Sequence, residues 1–159
     1  MTEIPVHIVR SARRKKTVSG RLDGGRIEVR VPAGLPDDQE ARLVADMVAR
    51  VQRRASSTMV DLTARAEALA RRFDLPEPDA IVWSERQNTR WGSCTPAERR
   101  IRISNRLASV PTWVLDSVIV HELAHLDVAG HGPEFEKLVT RYPLTERARG
   151  YLIAVGEGR

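Results

Sequence analysis

Three of the four histidines in this 159-residue chain fall within the eleven residues HELAHLDVAGH, His121 to His131. His121 and His125 are four apart, so on a helix their side chains sit one turn above the other on one face and can share a metal ion. Glu122 lies between them. In the pattern H-E-x-x-H two histidines bind zinc and the adjacent glutamate is held beside the activated water as general base. Two ligands are too few, because a catalytic zinc usually takes three protein ligands plus water. His131 follows the expected helix end, flanked by Gly130 and Gly132, which let the backbone turn back. The expected centre is one zinc per chain on His121, His125 and His131, with Glu122 taking a proton from water while the metal polarises a carbonyl.

The alternative is a buried helix that happens to carry histidines. Burying two imidazoles and a carboxylate without partners is costly, whereas a dication compensates all three, so the metal reading is preferred. The spacing of His131 equals that of metzincins, yet Val128 stands where their pattern has glycine. Met1, Met47 and Met59 all lie upstream, so no Met-turn follows the site. Stabilising an oxyanion calls for an electrophilic side chain, and Tyr142, Arg90 and Asn88 are candidates among which the sequence does not choose.

The elements that must position these residues follow from periodicity. VHIVR and RIEVRV alternate like half-buried strands, with the turn LDGG between them, and predict a small antiparallel sheet near the start. Amphipathic patterns through EARLVADMVARVQRR and MVDLTARAEALARRF predict two helices, or one long one broken at ASST, ended by Pro76 and Pro78. AIVW and RRIRIS read as strands on either side of the loop SERQNTRWGSCTPAE, rejoining the sheet. A helix opening at Ser109 (N-cap) and Pro111 runs through TWVLDSVIVHELAHLDV and is apolar almost all round, which places it in the core. Pro133 starts a short helix PEFEKLVTRY, and TERARGYLIAV makes the last.

Hydrophobic residues at 42% and charged residues at 30% are ordinary for a folded globular chain. No apolar run approaches the roughly 20 residues that span a bilayer, and no signal-peptide pattern opens the chain, so a cytoplasmic protein without membrane partners is expected. The single cysteine, Cys94, cannot form an internal disulfide. The net charge of +5 is concentrated in residues 1–30, which hold eight Lys and Arg against three Asp and Glu. Such a segment can attract nucleic acid, an anionic surface or an acidic substrate, but a solvated face is the preferred reading, since no aromatic residue interleaves RSARRKK as base stacking requires.

RSARRKKTVSG near the start, RWGSC in the middle, and HELAHL and GHGPEF at the end match, in order and spacing, the YgjP-like metal-dependent hydrolase family, which the chain resembles along nearly its whole length. That family is similar to the SprT and Wss1 groups of zinc metallopeptidases. The resemblance implies a zincin-like fold and carries the family's H-E-x-x-H onto His121, Glu122 and His125, and its third histidine onto His131. Where the family often has tryptophan after the phenylalanine matching Phe135, Glu136 stands here. The expected architecture is α+β, a single zincin-like domain over residues 1–159. Residues 1–34 would form its basic, β-rich antiparallel portion, and residues 35–159 a helical, catalytic portion with the H-E-x-x-H helix buried.

RWGSC admits two readings. Residues 90–94 border the cleft as a loop or edge strand that pairs an extended peptide, with Arg90 on a carboxylate or phosphate. Alternatively Trp91 packs in the core, Gly92 permits a close backbone approach and Cys94 is a small buried hydrophobe; for Trp91 and Cys94 this is preferred. The favoured function is a zinc peptidase acting on a peptide or protein substrate. Its rivals are a metal-dependent nucleotide phosphohydrolase and a SprT-like protease docked on nucleic acid through Arg10, Arg13, Arg14, Lys15 and Lys16.

Overall fold

The computed structural model describes residues 4–157, which form two compact units, residues 4–58 and 59–157. The α+β expectation holds in both.

The first unit contains β1 (Val6–Ser11), β2 (Ser19–Asp23), β3 (Arg26–Pro32) and the helix α1 (Asp37–Ser57). The sheet order is β1-β3-β2. The two alternating segments do not form the antiparallel pair that the sequence predicts. β1 runs parallel to β3, and β3's hairpin partner is β2. The turn signal is real, since Gly24 and Gly25 both take positive φ, 54° and 79°, as a tight hairpin turn demands. Its other arm went unseen because Ser19-Gly20-Arg21-Leu22-Asp23 has one apolar residue and no alternation. Ile27, Val29 and Val31, fully buried on one face of β3, pack with Val51 of α1. A Cβ on Gly20 would lie 2.6 Å from Met47 Cγ, so α1 seats on the sheet where β2 has no side chain.

The break expected at ASST begins at the last residue of that stretch, Thr58, which is the C-cap of α1. Ala55 to Ser57 remain in α1, where the Ser57 hydroxyl bonds back to Arg54 O at 2.8 Å instead of interrupting the helix. The next helix, α2 (Leu62–Phe73), starts at a true cap, Asp61, whose carboxylate accepts from Ala64 N–H at 3.0 Å.

The second unit continues with β4 (Ala80–Ser84), β5 (Gly92–Thr95), β6 (Arg100–Ser104), α3 (Thr112–Ala124), α4 (Pro133–Val139) and α5 (Thr145–Glu157). β4 and β6 do not rejoin the first sheet. They pair in parallel, and β5, drawn from the expected loop, lies antiparallel on the other side of β6, giving the order β4-β6-β5. With both edges of β6 filled from within its own unit, the second sheet is complete without the first. Strand order and polarity are the same in both sheets.

α3 is the centre of this unit. Ile101 and Ile103 of β6, and Leu62, Ala66 and Leu69 of α2, pack with Val114, Leu115, Val118, Ile119 and Leu123 of α3. Ser109 does not cap it: that residue ends a 3-10 turn, Asn105–Ser109, and Pro111 precedes the first helical residue without a side-chain cap bond. Asp116, a charge in the apolar stretch, is met by Arg65 of α2, whose guanidinium donates to both carboxylate oxygens. Among the described residues no helix is long and apolar enough to cross a membrane.

Candidate metal centre

His121 occupies the last turn of α3 and His125 its C-cap. The chain then turns tightly, with Leu126 N–H bonding Leu123 O at 3.0 Å and Val128 N–H bonding Ala124 O at 3.0 Å. Gly132 and Pro133 open α4. This returns His131 to the helix end. His131 Nε2 lies 3.1 Å from His125 Nε2 and 3.4 Å from His121 Nε2, so three imidazole nitrogens converge on one point. They form a group that can hold a metal ion.

The protonation pattern fits such an ion. His125 Nδ1 is 2.9 Å from Val128 O. A carbonyl only accepts, so Nδ1 is the donor, and in the neutral ring this tautomer leaves the lone pair on Nε2. Burial, reinforced by the imidazoles of His125 and His131, pushes His121 down to about 4, leaving it neutral near pH 7. Converging lone pairs repel, and a cation removes that repulsion.

Behind the rings stands Phe135 of α4, fully buried. Its ring centroid is 4.8 Å from that of His121, 4.4 Å from His125 in a stacked arrangement, and 4.8 Å from His131. One side chain thus touches all three imidazoles. The sequence marked it as the phenylalanine of GHGPEF, in the first turns of the helix that follows His131, but not as a contact of the three imidazoles.

Glu122 is 6% exposed, and burial pushes its carboxyl up to about 7, against the opposing charge of Arg90. β5 passes directly over it. A Cβ on Gly92 would lie 2.5 Å from Glu122 Oε1 and 2.8 Å from Cγ, so only glycine permits this approach. The close-approach reading of Gly92 is therefore correct, and β5 is also an edge strand bordering the cleft. Trp91 packs partly against the core with the Arg106 guanidinium 3.8 Å above its ring, and Cys94 also packs against the core, its thiol raised by burial and by Glu122.

The cleft has a volume of about 770 Å³. α3 supplies its floor with His121, Glu122 and His125; β5 and Arg90 form one side, and α5 another. Of the three electrophile candidates, Arg90 lines the cleft. Tyr142 is buried against Phe73, and its hydroxyl donates to Trp113 O at 3.0 Å, while Asn88 lies outside the lining and its carbonyl accepts from Arg106. The α5 side, with Arg149, Leu152 and Ile153, was not singled out in the sequence, where its helical spacing reads as ordinary core packing. In the other unit, Arg10 is engaged bidentately by Glu40 at 2.9 and 2.6 Å.

No curated protein and no solved structure matches the chain. The sequence profile of a family described as YgjP-like, metallopeptidase domain, matches residues 46–152, a span that takes in α3, β5, the three histidines and most of the cleft. With a metal-ready histidine cluster inside a match covering about two thirds of its length, the chain belongs to the YgjP-like metallopeptidase family.

Proposed function

We propose that the protein is a zinc-dependent peptidase in which His121, His125 and His131 hold one zinc ion and Glu122 is the general base. The observation that carries this reading is the convergence of three imidazole Nε2 atoms beside a buried carboxylate, in a cleft bordered by a sheet edge. Neutral nitrogen donors suit zinc, whereas magnesium takes oxygen, which weighs against a magnesium-dependent nucleotide phosphohydrolase. When bound, zinc supplies Lewis acidity to a water and a carbonyl.

The chain's own residues supply the rest. The Glu122 carboxylate holds the water, accepts its proton and passes it to the leaving amine; an acidity near neutral suits both transfers. Arg90 faces the cleft and stabilises the developing oxyanion. Ser104 N–H donates to Trp91 O at 2.8 Å, which sets the parity of the ladder. Trp91, Ser93 and Thr95 therefore turn their backbone groups toward β6, and Gly92 and Cys94 turn theirs outward. Those outward groups pair an extended peptide.

Elemental analysis and peptide hydrolysis on the wild type, Glu122→Gln and His131→Ala test the reading. The wild type should carry about one zinc per chain, and His131→Ala should lose most of it with the fold intact. Glu122→Gln should keep zinc and lose at least about 100-fold in kcat. Wild-type activity in Glu122→Gln would exclude it as the base, and release of phosphate from nucleotides without peptide cleavage would reverse the assignment.

A further inference from the structure

We propose that the cleft selects peptides with a large apolar side chain beside the bond to be cut, received by the cleft-lining face of α5; this rests on the peptidase reading above. Thr145, Arg149, Leu152 and Ile153 all line the cleft, at the spacing i, i+4, i+7, i+8 that makes one helical face. Arg149, the one charge on that face, is already engaged. It donates to the two carboxylate oxygens of Glu136 at 2.9 and 3.1 Å and to Glu146 at 2.6 Å, so its aliphatic stem is what it offers the cleft. Leu152 is partly buried, and Ile153 stands 59% exposed. Val6, Leu22, Met59 and Val82 are also large, apolar and exposed, but among these five only Ile153 lines the cleft. Val118 of α3 and Val139 of α4 continue the apolar lining.

The strand edge aims a substrate side chain at this face. Gly92 and Cys94 stand opposite Ile103 and Ile101, and so share the sheet face that packs on α3. A peptide laid along the outer edge of β5 alternates its side chains between the two faces. Those on the Gly92 face point over α3, which touches both β5 and α5 and lines the same cleft as they do. They therefore enter the space in front of Ile153. At about 770 Å³ the cavity is of the size that holds a ligand of several residues.

The test is digestion of a peptide library of varied sequence by the zinc-loaded wild type, Ile153→Asp and Ile153→Ser, with cleavage sites read by mass spectrometry. In the wild type, Leu, Ile, Val, Met and Phe should be enriched at one fixed position adjoining the cut. Ile153→Asp should lower kcat/KM for such a peptide by about 10-fold or more and raise the share of Lys and Arg at that position. Ile153→Ser should lose the apolar preference without gaining the basic one, and both variants should keep their zinc. Cleavage without apolar enrichment, or enrichment unchanged in Ile153→Ser, overturns the proposal. A wild type that cuts no peptide at all overturns the peptidase reading, and this one with it.

Discussion

Gly92→Ala is the smallest change that separates the position of Glu122 from the binding of metal. The new Cβ would lie 2.5 Å from Glu122 Oε1, 2.8 Å from Cγ and 2.9 Å from Cδ. Non-bonded carbon atoms rest at about 3.5–4.0 Å, so the Cγ contact is too short by about 0.7 Å or more. Turning the carboxylate alone does not relieve it, because Cγ lies above that rotation. Either the whole side chain swings away or β5 recedes. β5 is held to β6, with Gly92 opposite the buried Ile103, so the glutamate is the part that yields. A displacement of about 1 Å at a reacting group costs about 100-fold, or about 2.7 kcal/mol of transition-state stabilisation. The overpacking itself costs about 1–3 kcal/mol of stability. The assay pairs kcat on a cleaved peptide with zinc content and thermal unfolding, and adds Glu122→Asp in both backgrounds. We expect zinc to be retained, kcat to fall about 100-fold, and Glu122→Asp to cost less in the Gly92→Ala background than in the wild type, since the shorter side chain withdraws from the overlap. Activity within about threefold of wild type, or a loss of zinc equal to the loss of activity, would refute the reasoning.

Phe135→Leu should weaken zinc binding by about 10-fold without touching a ligand, because leucine leaves three imidazoles without the ring that packs between them; competition with a chelator measures it, and unchanged affinity would show that the ring only fills space. Metal-free protein should show two opposing pH effects from the same helix. His121, held at about 4 against an ordinary 6.5, takes up its proton only in the unfolded chain between those values, so its contribution makes stability rise with pH from about 4 to 6.5. Glu122, held at about 7 against 4.5, keeps its proton only in the folded chain over that window, so its contribution makes stability fall from about 4.5 to 7. Glu122→Gln removes the second slope, and its Tm, with chelator present, should climb more steeply than the wild type's between pH 4.5 and 6.5; parallel curves would contradict the burial of Glu122.

What could be read in advance was what local spacing decides. His121 and His125 on one helix face, the return of His131 past two glycines, and the apolar circumference of α3 are all set within a few residues, and the structure brings the three imidazoles together as the spacing requires. The partners of strands are set by the rest of the chain, and there the reading failed. Val6–Ser11 and Arg26–Pro32 were legible as strands but not as a parallel pair, because the intervening partner Ser19–Asp23 sits at an edge where little apolar surface is needed. Gly92–Thr95 was hidden in the same way: Gly-Ser-Cys-Thr has no alternation, and its place in the sheet comes from β6 and α3. Tyr142 shows the limit for side chains, since a tyrosine near a metal site reads equally well as electrophile or as core, and it is burial against Phe73 and the bond to Trp113 O that place it in the core.

The same burial that secures α3 prepares its polar residues for chemistry. A helix packed on nearly every side cannot move His121 or Glu122 toward water, so their charged forms are disfavoured from opposite directions: the imidazole is kept neutral with a lone pair to donate, and the carboxyl is held near the acidity at which it can both accept and return a proton. In water neither state would prevail to this extent. Asp116, five residues before His121 on the same helix, has Arg65 as a partner and is a structural charge; Glu122, with Gly92 in place of a side chain beside it, has backbone passing over it and, among the described residues, no cation bonded to it. The difference between the two acids lies in what their neighbours supply. An arginine fixes one as part of the core, and a glycine leaves the other buried, close to a sheet edge, and free to exchange a proton with whatever the cleft admits.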